Sequence, residues 1–247
     1  MKKILHTSFH PSSKKEILEK IERLLLNNEA WIHIVSLNLE NVVHAYYHDE
    51  FNNVLSQKAT QIVDGAGILI ASSFLRYGQY ERITGADFMP ELIKHYADKG
   101  FRFLFIGGKP NLAERISICY SQTYPKSTFK GIQGIVRIGR PQPDELQQIS
   151  NIIIDYKPHF VFVAFGSPDQ ELLLDRYKDL FQGTVCMGVG GGFEFASGDT
   201  PRAPKWMRKY GFEWLFRLIS QPWRLRRQLK LPLFFFLLFL QKCRLLK

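Results

Sequence analysis

The stretch His159-Phe-Val-Phe-Val-Ala-Phe165 is apolar at nearly every position, and Gly166-Ser-Pro-Asp169 follows it at once. A short run that is apolar throughout is typical of a strand buried on both faces of a parallel sheet. The next residues, Gln170–Leu180, have the apolar spacing of a helix. This unit of strand, turn and helix predicts an α/β fold.

The same alternation of apolar strands and helices continues on both sides of this unit. Further strands are predicted at Trp31–Ser36, Thr60–Val63, Phe101–Ile106 and Thr184–Val189. Helices are predicted at Lys14–Asn28, Leu39–Tyr47, Asp87–Ala97, Asn111–Gln122 and Pro143–Tyr156, with another that ends at Tyr77. Strands that alternate with helices form a mostly parallel sheet with helices on both faces.

The positive charge of the chain is concentrated near its C-terminal end. Of the 33 Lys and Arg residues, twelve follow Pro201, where Glu213 is the only acid; residues 1–201 therefore hold 21 basic and 22 acidic residues. This asymmetry indicates a polyanionic partner. The composition changes near Gly198–Pro204, which predicts an α/β core at residues 1–200 and a basic, aromatic appendage at residues 201–247.

Within the appendage, Leu231–Leu240 is a ten-residue apolar run between basic residues. It is about half of the roughly 20 residues that a membrane-spanning helix needs. Phe and Leu beside Lys and Arg favour a segment that lies in the interface of an anionic membrane. The alternative is a C-terminal helix that completes the core or a subunit contact. Nucleic acid is disfavoured, because binding it gains little from such an apolar segment.

The cysteines and the N-terminus indicate a cytoplasmic protein. Cys119, Cys186 and Cys243 are far apart and form no CxxC pair, so neither a disulfide framework nor a zinc site is expected. The residues from Met1 onward include two lysines but no apolar run of signal-peptide length, so export is not expected.

Ligands of open parallel sheets bind at the carboxyl ends of the strands, which makes the residues there the first candidates. These residues are Ser36-Leu37-Asn38, Asp64-Gly65, Gly107-Gly108, Gly166-Ser167-Pro168 and Gly190–Gly192. Gly107 and Gly108 precede a helix, so their backbone N–H groups could hold a phosphate. Asp64, Ser36 and Asn38 are also ordinary helix caps or turn formers, and the residues alone leave both roles open.

Several common catalytic motifs are missing from the sequence. It contains no complete GxGxxG, no P-loop, no GxSxG and no Asp-x-Asp pair. A nicotinamide-dependent oxidoreductase is therefore a weak alternative, and the usual metal-binding acidic pair for a nucleotide diphosphate is not present. The residues by themselves indicate an α/β enzyme for a phosphate-bearing ligand, with a membrane-seeking tail.

A series of short motifs in one order resembles the WecG/TagA/CpsF family of bacterial glycosyltransferases from about Trp31 to Arg227. The motifs are Ser36-x-Asn38, Asp64-Gly65-x-Gly67, Arg82-x-x-Gly85-x-Asp87, Gly107-Gly108, Gly166-x-Pro168-x-Gln170-Glu171, Gly188-Val-Gly-Gly-x-Phe193, Arg202-Ala-Pro-x-Trp206, Glu213-Trp-Leu-x-Arg217 and Pro222-x-Arg224-x-x-Arg227. Each motif is short, but so many in one order are improbable by chance.

The resemblance implies a Rossmann-like core and a C-terminal appendage that meets the membrane and completes the active site. It implies inverting transfer, without metal or cofactor, from a UDP-sugar, typically N-acetylmannosamine or its uronate. The implied acceptor is N-acetylglucosamine on undecaprenyl diphosphate, at the cytoplasmic face of the bacterial plasma membrane. The product would enter teichoic acid, capsule or another exopolysaccharide, and the oligomeric state stays open.

The resemblance also implies roles for single residues. Asp64 would be the general base, and Ser36, where Thr is expected in the family, would line the same crevice as Asn38. Gln170 and Glu171 would hydrogen-bond the nucleotide or sugar, and three arginines would neutralise the departing UDP. Those arginines are Arg217, Arg224 and Arg227; the other matched substrate-binding positions are Arg82, Asp87, Gly107, Gly108, Gly190 and Gly191.

Two other functions stay open at this point. One is an oxidoreductase that acts on nucleotide sugars with a nicotinamide cofactor. The other is a non-catalytic, membrane-tethered protein that binds nucleotides. Binding of NAD compared with UDP separates the first from a glycosyltransferase, and a turnover assay separates the second.

Overall fold

The computed structural model describes residues 1–27, 31–57, 59–222, 225 and 230–245. The strands are β1 (Lys3–Ile4), β2 (Thr7–Ser8), β3 (Ile32–Leu37), β4 (Thr60–Val63), β5 (Arg102–Gly107), β6 (Thr128–Ile132), β7 (Phe160–Ala164) and β8 (Val185–Gly188). The helices are α1 (Lys14–Asn27), α2 (Leu39–Tyr47), α3 (Asp49–Gln57), α4 (Ala66–Phe74), α5 (Gly85–Tyr96), α6 (Leu112–Thr123), α7 (Pro143–Tyr156), α8 (Asp169–Arg176), α9 (Gly192–Ala196), α10 (Lys205–Lys209), α11 (Glu213–Ser220) and α12 (Lys230–Lys242).

The main sheet has six strands in the part of the chain that the structure describes. Their order is β4-β3-β8-β7-β5-β6, and the pairs β3–β8, β8–β7, β7–β5 and β5–β6 all run parallel. Helices separate most of these strands along the chain, as the apolar pattern predicts. The predicted fold class, a Rossmann-like parallel sheet with helices around it and a helical C-terminal appendage, is confirmed.

The chain divides into two compact units. The first consists of Met1–Ser13, Ser36–Thr84 and Pro201–Lys247, and the second of Lys14–Val35 and Gly85–Thr200. The C-terminal appendage thus belongs to the same unit as the segment that follows β3.

In the second unit, the central strands β5 and β7 are buried on both faces. One face is aromatic: the ring centroids of Phe103 and Phe160 lie 4.9 Å apart, and those of Phe105 and Phe162 lie 5.8 Å apart. The other face is aliphatic and packs against α7 and α8. Because consecutive strand residues point to opposite faces, a strand must be apolar at every position to fill both layers. This explains the unbroken apolar run in β7.

In the first unit, α12 packs against α2 and the N-terminal hairpin. Phe234, Leu237 and Leu238 are buried, whereas Phe236 and Phe239 are 60% and 56% exposed. Gln241 accepts a hydrogen bond from the Leu5 N–H at 2.8 Å and donates one to the Lys3 carbonyl at 2.8 Å. One face of the apolar run therefore completes a core, which is one of the two expected alternatives, and its other face is exposed. Insertion into a membrane interface stays a prediction.

The observed element bounds differ from the predicted ones at several ends. α4 stops at Phe74 rather than Tyr77, and α8 stops at Arg176, where a 3₁₀ turn at Lys178–Phe181 replaces its last predicted residues. The sequence did not predict the β1–β2 hairpin, α3 or β6. The predicted last residue of the first helix, Asn28, lies outside the described residues.

Replacement of Phe234 should destabilise the protein far more than replacement of Phe236. Phe234→Ala removes a fully buried ring and should cost about 3–5 kcal/mol of unfolding free energy. Phe236→Ala, on the exposed face of the same helix, should change it by no more than about 0.5 kcal/mol. Urea unfolding of both variants measures the difference, and equal losses would contradict the observed packing of α12.

Candidate active site

Three predicted catalytic residues lie close together at the ends of β3 and β4. The Asp64 N–H donates a hydrogen bond to the Leu37 carbonyl at 2.8 Å, which puts Asp64 beside the residue that precedes Asn38. Ser36 is the second-last residue of β3 and is buried. Ser36, Asn38 and Asp64 therefore occupy neighbouring strand ends, where a parallel sheet binds ligands.

Asn38 and Asp64 differ in how they relate to the helices that follow them. The Asn38 Oδ1 accepts the Asn41 N–H at 2.9 Å, so the expected capping role of Asn38 for α2 is confirmed. The N-cap of α4 is Gly65, with φ near 99°, rather than Asp64. Asp64 is therefore not the N-cap of α4, as it would be if its role were that of an ordinary helix cap.

Arg82 holds the C-terminal segment beside the loop that contains Asp64. A parallel bridge joins Arg82 to Val63, and the Arg82 guanidinium donates to the Arg208 carbonyl at 2.5 Å. Gly211 lies so close to Ala66 that a Cβ atom there would come within 2.5 Å of the Ala66 Cβ. The family resemblance predicted that Arg82 binds substrate. In the structure, its guanidinium donates a hydrogen bond to a main-chain carbonyl. Residues 208–211 consequently lie against the Asp64 loop.

Other predicted positions of the second unit lie at strand ends or at the starts of helices. Asp87 lies in the first turn of α5, and Gly191 is the N-cap of α9. The Gly108 N–H already donates to the Ala164 carbonyl at 3.0 Å, and α6 begins only at Leu112. The expectation that this N–H holds a phosphate at the start of a helix therefore does not fit the observed geometry.

Gln170 and Glu171 form a buried polar pair at the start of α8. The Gln170 Oε1 accepts the N–H groups of Gly166 at 3.2 Å and Gly190 at 3.1 Å, and its Nε2 donates to the Glu171 Oε1 at 2.7 Å. Gln170 is 4% exposed and Glu171 is 1% exposed. Burial raises the pKa of Glu171 to about 7, although the hydrogen bond from Gln170 opposes this shift.

Comparison with known proteins identifies the family. The model of the glycosyl transferase WecG/TagA/CpsF family matches residues 2–247. The chain belongs to this family. It is therefore a WecG/TagA/CpsF glycosyltransferase. Membership in a glycosyltransferase family argues against the oxidoreductase alternative.

Three curated relatives to which this glycosyltransferase is similar carry the name N-acetylglucosaminyldiphosphoundecaprenol N-acetyl-beta-D-mannosaminyltransferase. The Bacillus subtilis (strain 168) protein is 30% identical over 221 residues, which cover 90% of this chain and 84% of the relative. The Staphylococcus aureus (strain MW2) protein is 28% identical over 234 residues, which cover 94% and 90%. The Bacillus spizizenii protein is 30% identical over 232 residues, which cover 94% and 88%.

The arginines that the resemblance assigns to the diphosphate are only partly described in this WecG/TagA/CpsF protein. Arg217 is half-buried in α11, and α11 ends at Ser220, before Pro222. Arg224 and Arg227 lie outside the described residues, so their role stays a prediction. No role was predicted for Arg208, whose main-chain carbonyl accepts a hydrogen bond from Arg82. The two residues are 126 positions apart, and no local pattern signals such a contact.

The described part of this glycosyltransferase contains neither a membrane-spanning helix nor a metal-binding cluster. Within the described residues, each helix is too short or too polar to cross a bilayer. The same residues contain no group of three or more His, Cys, Asp or Glu side chains arranged to hold a metal ion. Metal independence itself stays a prediction.

The pH dependence of stability should reveal the buried Glu171 carboxyl. Between its ordinary pKa of 4.5 and its raised pKa of about 7, the folded chain keeps a proton that the unfolded chain has released. The parent protein should therefore lose stability as the pH rises through this window, whereas Glu171→Gln lacks this dependence. Relative to the parent, the variant should gain up to about 3 kcal/mol between pH 4 and pH 8. Urea unfolding across this range is the measurement, and a constant difference would contradict the raised pKa.

Proposed function

We propose that this protein transfers an N-acetylmannosamine-type sugar from a UDP-sugar to N-acetylglucosamine on undecaprenyl diphosphate, with inversion and without metal. Its family membership over residues 2–247 and the names of its relatives support the sugar and the acceptor. The observation that carries the proposal is the hydrogen bond between Asp64 and Leu37, which groups Asp64, Ser36 and Asn38 at one pair of strand ends. The product would enter teichoic acid, capsule or another exopolysaccharide.

Asp64 is the general base in this proposal. Its carboxylate takes the proton from the acceptor hydroxyl while that oxygen attacks the anomeric carbon of the donor. The bond from the anomeric carbon to the diphosphate breaks, and UDP leaves with the bonding electron pair. Because this is one displacement, an α-linked donor gives a β-linked product, and no covalent sugar–enzyme intermediate forms.

The departing UDP needs positive charge, and the C-terminal appendage supplies it in this proposal. Arg217, Arg224 and Arg227 would donate to the phosphate oxygens, since guanidinium groups fit such oxygens well. The contacts of Arg82 with the Arg208 carbonyl and of Gly211 with Ala66 support this role, because they hold the start of the appendage at the Asp64 loop. The appendage, residues 201–247, would thus complete the active site of the core.

The acceptor lipid implies a protein at the cytoplasmic face of the plasma membrane. The exposed face of α12, with Phe236 and Phe239, would enter the bilayer interface, and nearby basic residues would bind anionic headgroups. Three of the apolar residues of α12 are buried in the protein. Fewer of its side chains are therefore available to the membrane than the ten-residue apolar run suggests.

Asp64→Asn should keep the fold and UDP binding but lose turnover by about 10²–10⁴, the usual effect of removing a positioned acid–base group. The substitution keeps size and hydrogen-bonding capacity and removes only the basic carboxylate. Transfer from UDP-N-acetylmannosamine to a short-chain lipid diphosphate acceptor measures turnover, and calorimetry measures UDP binding.

Glu81→Gln is the matched control, because it neutralises an exposed carboxylate of the same unit. The control should behave as the parent does. Turnover of Asp64→Asn within about threefold of the parent would remove Asp64 from the role of base. No turnover of the parent with any UDP-sugar would instead favour the non-catalytic alternative.

A further inference from the structure

Gln170 connects two loops whose glycines, Gly166 and Gly190, are 24 residues apart in the sequence. Gly166 follows β7 and Gly190 follows β8, and both have positive φ values, 85° and 49°. Glycine in such a loop leaves the chain free to adopt many conformations. The single Oε1 atom of Gln170 accepts the N–H groups of both glycines and so fixes the two loops to each other.

The hydrogen-bonding capacity of the Gln170 amide is largely used inside the protein. A side-chain amide oxygen accepts two hydrogen bonds, and here Gly166 and Gly190 supply both. Of the two donor hydrogens on Nε2, one bonds Glu171. With 4% of the residue exposed, little capacity is left for a substrate.

Gly188 and Glu171 set the position and orientation of this amide. A Cβ atom on Gly188 would overlap the Gln170 Nε2, so the absence of a side chain at Gly188 provides the space for the amide. Glu171 accepts from Nε2 and thereby keeps the oxygen, rather than the NH₂ group, towards the two backbone donors. A flipped amide would put donors against donors.

We infer that Gln170 is a positioning residue, which holds the Gly166 and Gly190 loops at the carboxyl ends of β7 and β8 while Glu171 orients its amide. The inference rests on the proposed function for its effect on transfer, because loops at these strand ends would receive the nucleotide sugar. It replaces direct binding of the substrate by Gln170, which the sequence motif alone suggests.

Exchanging Gln and Glu between positions 170 and 171 distinguishes a positioning role of Gln170 from direct binding of the substrate. Gln170→Glu keeps an oxygen for both glycine N–H groups but loses the donor to Glu171 and puts two carboxyl groups together. The variant should lose about 100-fold in kcat/KM, the scale of an active-site displacement of about 1 Å. The double variant Gln170→Glu/Glu171→Gln keeps an oxygen for both glycine N–H groups and restores the hydrogen bond between the two side chains with its direction reversed, since Gln at position 171 donates to Glu at position 170.

The double variant should therefore recover kcat/KM to within about fivefold of the parent, as expected for two residues that act through one contact. A direct ligand would behave differently, because a carboxylate at position 170 would still repel the diphosphate. A double variant as impaired as Gln170→Glu would overturn the positioning role.

Amide hydrogen exchange followed by NMR tests the same contact without any substrate. Gln170→Leu should speed exchange of the Gly166 and Gly190 N–H groups about tenfold or more, because both lose their acceptor. The Val189 N–H, bonded to the Val163 carbonyl at 2.8 Å, is the internal control and should stay protected. Unchanged exchange at both glycines would overturn the inference. This result is independent of turnover, so a parent protein that transfers no sugar would refute the proposed function and leave the exchange result to decide the role of Gln170.

Discussion

The hydrogen bond from the Asp64 N–H to the Leu37 carbonyl is the contact on which the proposed chemistry depends. It fixes the loop after β4 to the end of β3, and Asp64 consequently lies beside Ser36 and Asn38. The same loop receives the C-terminal segment, through Arg82 and through the close approach of Gly211 to Ala66. Asp64 and the start of a strongly basic appendage are thus held at one place by a backbone hydrogen bond, an arginine side chain and a close approach at a glycine.

The second unit stabilises its strand-end loops by a different means. Where the first unit uses a backbone bond and an arginine, the second uses a buried amide that accepts from two glycine N–H groups. A buried polar group is stabilising only when its partners are present, which makes Gln170 and Glu171 dependent on each other. In the positioning role that we infer for Gln170, this polar pair serves the shape of the site rather than contact with a ligand.

The fold was predictable because its main signals are local. Apolar runs such as the one in β7 and the capping position of Asn38 follow from neighbouring residues alone. The strand ends, and therefore the position of Asp64, followed from the same pattern. The hairpin β1–β2 was missed because two-residue strands are too short to show a period of two.

The partners of the polar residues were not predictable, because they are distant in sequence. The motif predicts that Gln170 binds a ligand. In the structure, its Oε1 accepts a hydrogen bond from the N–H of Gly190, 20 positions away. The N–H of Gly108 is taken by Ala164 in the same way. In α12, nearly every residue is apolar, so the sequence cannot show which face is buried. The packing of α12 in the folded protein is what separates buried Phe234 from exposed Phe236.

The anomeric configuration of the product formed in excess EDTA tests the central proposal most directly. The parent enzyme is supplied with UDP-N-acetylmannosamine and a short-chain lipid diphosphate that carries N-acetylglucosamine, and NMR determines the configuration of the new linkage. Base catalysis by Asp64, with arginines serving the diphosphate, predicts a β linkage and undiminished transfer without divalent metal. An α linkage, or transfer that EDTA abolishes and Mg²⁺ or Mn²⁺ restores, would contradict this account.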